Sequence, residues 1–326
     1  EDIKKRGKGK KYDCIVGVSG GIDSSYVLLK AIQYGLRPLA VHMDNGWNSE
    51  TSQNNINVLV KKLGVDLYTH VIDWDEYKRL MYTFLDADVV DLELLMDNAM
   101  LAVNFRAAKK YNLEFILSGT NLSTEGMRIP KSWSWNKFDK KNIQSIAKTH
   151  GIQNFKTYPS IGNIDYVYYY KIKKIKWILT LDYLNYKKED ALLELKEIGY
   201  KPYHYKHYES YLTRFYQGFL LPKKFEIDKR KLHFSTLIIT GQMSREAALH
   251  ELKKTPYPDE AMLEADTNYF LKKLNWTKDN LEDYISRARV EHDYYKSEVE
   301  LYNILFEKNS KIKKIFNIIK YFLSFK

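Results

Sequence analysis

The sequence predicts an α/β protein, a doubly wound, mostly parallel sheet followed by a mainly helical C-terminal region. Three observations carry this. Short apolar runs alternate with helical periodicity over residues 11–126, glycine- and Asx-rich turns follow the runs, and strand signals fade beyond residue 126. The division expected is an α/β core over 1–126, a mainly helical region over 127–308 and a basic amphipathic tail over 309–326.

The first run, Cys14-Ile15-Val16-Gly17-Val18, is continuously apolar, as a central parallel strand covered on both faces must be. Further strands are expected at 39–43, 67–72 and 115–118, with helices near 24–34, 54–63 and 99–111. Beyond residue 126 helices are expected at 139–150, 187–198, 229–239, 245–253 and 277–286, with Gly199 and Gly241 as stops and Ser244 and Thr277 as N-caps. In the tail, Ile312, Ile315, Phe316, Ile319, Phe322 and Leu323 form one stripe among lysines. That stripe suits docking on protein or a peripheral membrane surface.

Ser19-Gly20-Gly21-Ile22-Asp23-Ser24 joins the first strand to the first long helix. A glycine-rich turn there points backbone N–H groups outward at the positive end of the helix dipole, which makes an anion site. Phosphate is the natural guest. No lysine follows the glycines as a Walker loop requires, and the spacing fails the dinucleotide fingerprint. Asp44-Asn45-Gly46 and Gly119-Thr120-Asn121 also fall at carboxyl ends of strands, where ligands of such sheets bind. Taken singly, each reads equally as a turn or helix cap.

A charge of +11, from 52 basic and 41 acidic side chains, suits anionic partners without choosing among them. The single cysteine, Cys14, excludes an internal disulfide framework and a multi-cysteine zinc site in these residues, and points to a cytoplasmic setting. No apolar stretch approaches the length of a membrane span and no secretory signal opens the sequence. A sequence opening on Glu1 is expected to lack an N-terminal portion.

The Ser19 to Ser24 turn resembles the signature of the PP-loop ATP pyrophosphatases, which cleave ATP to AMP and pyrophosphate while adenylating a substrate oxygen. The resemblance implies ATP and Mg2+ as cofactors. Ser19, Gly20, Gly21, Asp23 and Ser24 would hold the phosphates, and Met43 and Asp44 the adenosine. Gly119-Thr120-Asn121-Leu122-Ser123-Thr124-Glu125 resembles a stretch of the NAD synthetase branch in which the matching Glu helps hold magnesium, so Asp23 and Glu125 are the expected metal carboxylates. Ser19, Asp23, Glu125 and Lys131 are the expected catalytic set, with Gly119 and Thr120 at the nucleotide.

The run from Lys206 to Phe219, then Leu221 to Phe225, Asp228-Lys229-Arg230 and Gly241 to Ala247, resembles the N-acetyl sugar amidotransferase family of that superfamily. The likeness spans residues 12–284. It implies adenylation of an acetamido oxygen on a nucleotide-linked N-acetyl sugar or related nonulosonic acid. Ammonia from a separate glutaminase subunit then displaces AMP, leaving an acetamidino group for lipopolysaccharide O-antigen or another surface glycan. Arg128, Lys206, His207, Glu209, Arg214, Lys224 and Arg230 are the expected substrate ligands, with Lys223 and Lys229 as further candidates and a solvated basic surface as the bland reading of many of them. His204, His207 and Glu209 lack the fourth ligand and helical spacing of a metal site. Members commonly carry cysteine pairs before the PP-loop, so zinc is expected only in a missing N-terminal segment.

Two other readings compete. A PP-loop enzyme modifying transfer RNA would suit the basic charge, but sulfur-transferring versions need cysteines not found in this chain, and no nucleic-acid partner is expected. A non-catalytic nucleotide-binding protein would have no need of Ser19, Asp23 and Glu125 together.

Overall fold

The computed structural model describes residues 1–125, 129–203 and 208–306. The expectations for Arg128, His204, Lys206, His207 and the tail over 309–326 lie outside the described residues. Strands β1 (Cys14–Gly17), β2 (Pro38–Asp44), β3 (Leu67–Val71), β4 (Phe115–Ser118) and β5 (Lys176–Leu179) form one parallel sheet in the order β3-β2-β1-β4-β5. In the first part of the chain the helices are α1 (Asp2–Gly7), α2 (Ile22–Gln33), α3 (Glu50–Leu63), α4 (Trp74–Asp86), α5 (Leu94–Lys110) and the short α6 (Leu122–Glu125).

Alternation along the strands builds a core on each face of the sheet. Cys14, Val16, Ala40, Phe115 and Leu117 pack with Val27 and Leu28 of α2 and Ile56 and Leu59 of α3. Ile15, Leu39, Val41 and Ile116 pack with Ala102, Val103 and Phe105 of α5. Chain order reverses at β1, whose neighbours β2 and β4 lie on opposite sides, so the loops leaving β1 and β4 diverge and open a crevice between them.

Several elements escape the sequence pattern, β5 and α4 among them. β5 was not expected; its four residues begin with an exposed lysine, and at the sheet edge it needs only the pairing of Phe115 to Ser118. α4 is fixed by Asp73, whose side chain accepts the Glu76 N–H. Later helices are α7 (Lys140–Thr149), α8 (Asn163–Val167), α9 (Lys188–Glu197), α10 (Tyr211–Phe215), α11 (Leu221–Phe225), α12 (Arg230–Ile239), α13 (Arg245–Leu252), α14 (Glu260–Leu274), α15 (Lys278–Ser286) and α16 (Val299–Phe306). A π-wound turn, Tyr216–Leu220, joins α10 to α11 without a break. The expected stops and caps are present: Gly199 and Gly241 take φ of +91° and +70°, and Ser244 and Thr277 cap α13 and α15.

A third core joins Leu80 and Phe84 of α4, Ile143 of α7, Phe215 of α10, Phe270 of α14 and Tyr284 of α15. Glu76 ties this layer to the segment after α7 by accepting the backbone N–H groups of Lys156, Thr157 and Tyr158 and the Thr157 hydroxyl. Burial pushes its carboxyl up, but these hydrogen bonds together outweigh it and hold the group below its ordinary value. A depressed folded value stabilises above the unfolded carboxyl range, about pH 4.3, and the contribution fades as pH falls through the folded value. Glu76→Gln is expected to cost about 2 kcal/mol at pH 7 and less at pH 3, measured by urea unfolding at both.

Candidate active site

The crevice is a cleft of ≈ 400 Å³ lined by Ser19, Gly21, Asp23 and Ser24 from the β1 loop, His42 and Met43 from β2, and Gly119, Thr120, Thr124 and Glu125 from the β4 loop. That size suits a nucleotide-scale ligand. Gly20 adopts φ +79°, and a Cβ there would meet Ser52 O and Oγ at 2.6 Å, so the close approach of α3 demands glycine. Asn55 Nδ2, Tyr200 OH and Tyr203 OH donate to the Gly20 carbonyl at 3.4, 3.3 and 3.2 Å, and Ser52 Oγ donates to Ser19 O at 2.8 Å. Two loop carbonyls are thereby tied back to α3 and to residues 200–203. Ser19 and Ser24 hydroxyls lie 3.1 Å apart, and α2 presents to the cleft a first turn whose amides have no carbonyl partner within the helix.

Gly119 explains the second signature. A Cβ on it would lie 2.6 Å from Ser24 N, so the β4 loop can rest on the first turn of α2 only with glycine there. This contact sets Thr124, whose hydroxyl reaches Asp23 Oδ2 at 3.5 Å, and Glu125 in the same cleft as Asp23. The Tyr186 phenol donates to Asp23 Oδ1, and burial followed by the Asp23 charge holds it neutral. Sequence reasoning missed Tyr186, which lies in an irregular stretch with no motif of its own. Among the described residues no three His, Cys, Asp or Glu side chains group as a metal site. A magnesium bridging phosphates takes only one or two protein carboxylates, and Asp23 and Glu125 fit that demand.

His42 is fixed in the floor: Nδ1 donates to Val18 O at 2.8 Å, Nε2 accepts from Asn48 at 3.1 Å, and burial depresses its pKa. Met43 lines the cleft as expected, but Asp44 does not. Its Oδ1 accepts from Gly46 N at 2.9 Å and Asn48 Nδ2 at 3.2 Å, closing an Asx turn. Asn48 bridges to Ser210, and Ser49 N donates to Glu209 O. Glu209 is thus carried to the loop, its Oε1 lying 3.0 Å from where a Cβ on Gly21 would be.

Several expected ligands lie elsewhere. Arg214 makes a two-point ion pair with buried Asp266, with the Tyr208 and Tyr211 rings each 5.0 Å from its guanidinium. Lys224 binds Asp88 at 2.9 Å and the carbonyls of Tyr284 and Arg287, tying α11 to α15. Arg230 pairs with Asp228 and reaches carbonyls at the end of α13 and beyond. These three are structural cations, bound to carboxylates and carbonyls within the helical layer. Lys131 is exposed on a single 3₁₀ turn and does not line the cleft, nor does Lys223. Lys229, a further candidate in the sequence, does line it, together with Glu93, Asp97, Asn104, Lys137, Gln217 and His233, which the sequence did not single out as ligands. Their signal was available only for α5, where Glu93, Asp97, Met100 and Asn104 recur at helical spacing.

A parallel sheet with this strand order, a glycine loop feeding α2 and two acidic residues beside that loop define a doubly wound α/β fold whose crevice, at the point where chain order reverses, suits an anionic ligand. Residues 209–309 match the family model described as LPS biosynthesis protein WbpG-like, C-terminal domain. No curated protein compared with the chain matches it. Three solved structures align partially, each with a TM-score of 0.31. A predicted subunit of tRNA methyltransferase from Methanocaldococcus jannaschii is 14% identical, over 56% of this chain and 75% of its own. NMN synthetase from Francisella tularensis is 15% identical over 61% and 91%. An NH3-dependent NAD synthetase from Campylobacter jejuni is 15% identical over 63% and 95%. These are likenesses at low identity, and the architecture is read from the sheet order and the loop.

Arg214→Ala is expected to lower stability by about 3 kcal/mol, because it strands the buried Asp266 charge. The double change Arg214→Met with Asp266→Leu should recover much of that loss. Chemical denaturation of the three variants is the measurement, with ATP affinity unchanged throughout.

Proposed function

We propose that the chain is an ATP-dependent amidotransferase, which adenylates the acetamido oxygen of a nucleotide-linked N-acetyl sugar and replaces AMP by ammonia. The product is an acetamidino sugar for lipopolysaccharide or another surface glycan. The observation that carries the reading is one cleft in which the phosphate loop, Asp23 and Glu125 meet Glu209 and Lys229 from the segment matching the lipopolysaccharide-biosynthesis family.

An amide is a poor electrophile until its oxygen becomes a leaving group, and adenylation supplies one. Ser19, Ser24 and the amides of the loop and first helical turn hold the departing pyrophosphate portion. Magnesium, held by Asp23 and Glu125, would supply charge neutralisation there. Tyr186 and Thr124 position the Asp23 carboxylate by donating to its oxygens. Met43 and the neighbouring floor seat the adenosine, and Glu209 and Lys229 face the sugar nucleotide.

The cleft also argues against a nucleic acid. Among the described residues its lining has five carboxylates, Asp23, Glu93, Asp97, Glu125 and Glu209, and three lysines, Lys137, Lys188 and Lys229, although the chain as a whole carries +11. A polyanion would meet an acidic wall. No helix among the described residues is long and apolar enough to cross a membrane. The proposal sets the reaction in the cytoplasm, where ATP and nucleotide sugars are made. Contact with a membrane surface through residues 309–326 belongs to the same proposal.

Asp23→Asn and Glu125→Gln are each expected to lower sugar-dependent pyrophosphate release by about 100-fold or more while the fold is retained. Release would be followed with a panel of nucleotide-linked diacetamido sugars, ATP and ammonium, with mass spectrometry of the products. Full activity in either variant removes that residue from the site.

The ammonia source is a separate glutaminase. Glutamine hydrolysis of the usual kind needs an accessible thiolate, and the one thiol, Cys14, is buried in β1 with its pKa pushed up to about 12 by burial and then by Asp13. The purified chain should turn over with ammonium chloride and not with glutamine until a glutaminase is added. Turnover with glutamine alone would refute this.

A further inference from the structure

All the strands run parallel, so the residues that open them share one edge of the sheet, opposite the carboxyl edge that carries the cleft. The segments leading into that amino edge are rich in lysine. α1 and the turn after it bring Lys4, Lys5 and Lys8, and Lys10 Nζ donates to Asn112 O at 2.7 Å, which seats this stretch beside the start of β4. Lys61-Lys62 and Lys109-Lys110 end α3 and α5, while Lys171, Lys173 and Lys174 precede β5 and Lys176 opens it. Apart from Glu1, the carboxylates on the segments leading into the strands are already paired: Asp2 and Glu114 with Arg6 at 3.0 and 2.7 Å, Asp13 with Arg37 at 2.6 Å and Asp66 with Lys11 at 2.9 Å. Much of the chain's +11 charge is thus exposed on this edge.

Part of this has an ordinary cause. Lysines in the last turn of a helix offset its dipole, which accounts for the ends of α3 and α5. The stretch before β5 is different. From Tyr166 to Leu181 the chain carries no acidic residue. Lys109 Nζ and Lys173 Nζ lie 5.3 and 5.8 Å from the centre of the Tyr168 ring, and Lys171 Nζ lies 4.9 Å from that of Tyr170. Such contacts place the charges and leave them uncancelled. Lys174 takes φ +56°, where glycine or asparagine costs less, so the backbone does not call for lysine there. Ile175 is buried in the core beneath α5, whereas Ile172 is 67% exposed and Tyr170 42%. Leu67, which opens β3, and Tyr34, which follows α2, are exposed at the same edge. Lysines interleaved with apolar side chains suit anionic headgroups above a hydrocarbon layer. A nucleic acid would need open aromatic faces, but Tyr166 and Tyr169 pack on Phe105 and Tyr168 lies under its two lysines.

We propose that the amino edge of the sheet, centred on residues 170–176, is a docking surface for an anionic lipid bilayer, separate from residues 309–326. Lys171, Lys173 and Lys174 meet the lipid phosphates, and Tyr170 and Ile172 enter the headgroup layer. Strand polarity then sets the orientation. With the amino edge on the membrane, the carboxyl edge and its cleft face solution, where soluble ligands arrive. The inference does not depend on the amidotransferase reading, because residues 170–176 contribute nothing to the cleft lining.

The measurement is co-sedimentation of the full chain with vesicles of phosphatidylcholine containing about one-third phosphatidylglycerol, and with phosphatidylcholine alone. Binding is expected to the first and not the second, and to weaken at least about tenfold between about 0.1 and 0.5 M salt. Changing Lys171, Lys173 and Lys174 together to Gln should lower the partition coefficient by about 100-fold, with circular dichroism and ATP affinity unchanged. Ile172→Asp alone should lower it by about tenfold. A tail variant, Ile315→Asp with Phe316→Asp, separates the two surfaces. Wild-type partitioning in the folded triple variant overturns the assignment, and binding that then disappears in the tail variant gives the contact to residues 309–326 instead. Equal binding to both kinds of vesicle removes its electrostatic basis. A chain that ignores vesicles but binds transfer RNA, and loses that binding in the triple variant, would make the edge a nucleic-acid surface.

Discussion

The site depends on one constraint: the Gly20 carbonyl is held from three directions. Its left-handed backbone lets α3 approach, and Asn55, Tyr200 and Tyr203 converge on the same oxygen. Asn55 also exchanges hydrogen bonds with the Lys201 backbone at 2.9 Å in both directions. The loop from Ser19 to Ser24 is therefore not merely a turn between β1 and α2. It is clamped by a helix on one side and by residues about 180 positions later on the other. Preorganisation of this kind lets amides act on a charged phosphate without rearranging when it arrives.

Much of the fold was legible because its signals are local. Continuous apolar strands, Gly20 and Gly119 at strand ends, and the caps at Ser244 and Thr277 each act within a few residues, and all occur where expected. What escaped was set by distant partners. β5 exists because β4 offers it an edge, and Tyr186 matters because the fold sets it against Asp23. The basic run after residue 206 misled for the same reason. Arg214, Lys224 and Arg230 look like ligands for an anion, yet Asp266, Asp88 and Asp228 already satisfy them. Lys229, one residue from Arg230, faces the cleft. Charge alone cannot separate the two, because which side of a helix start faces the cleft is decided by tertiary packing.

The charge distribution divides the molecule by task. A net charge of +11 favours encounter with anions, while the cleft is acidic among its described residues and so suits an anion accompanied by a cation. Buried ion pairs such as Arg214 with Asp266 add little net stability compared with apolar packing, but they fix which helices meet. The Arg214 pair sets α10 against α14, and Lys224, paired with Asp88 and bonded to the Tyr284 and Arg287 carbonyls, sets α11 against α15; Gln217 and Lys229 of this layer line the cleft.

The late arrival of β5 and of residues 200–203 has a consequence for the order in which the molecule assembles. The sheet gains its fifth strand only after residue 176 has left the ribosome, and the loop is clamped only after residue 203. Contacts of such high sequence separation close slowly, because long loops must be ordered before any pairing stabilises them. Nascent chains ending before that point have the β1 loop but not its restraint. Completion of the sheet and restraint of the β1 loop thus both come late in synthesis.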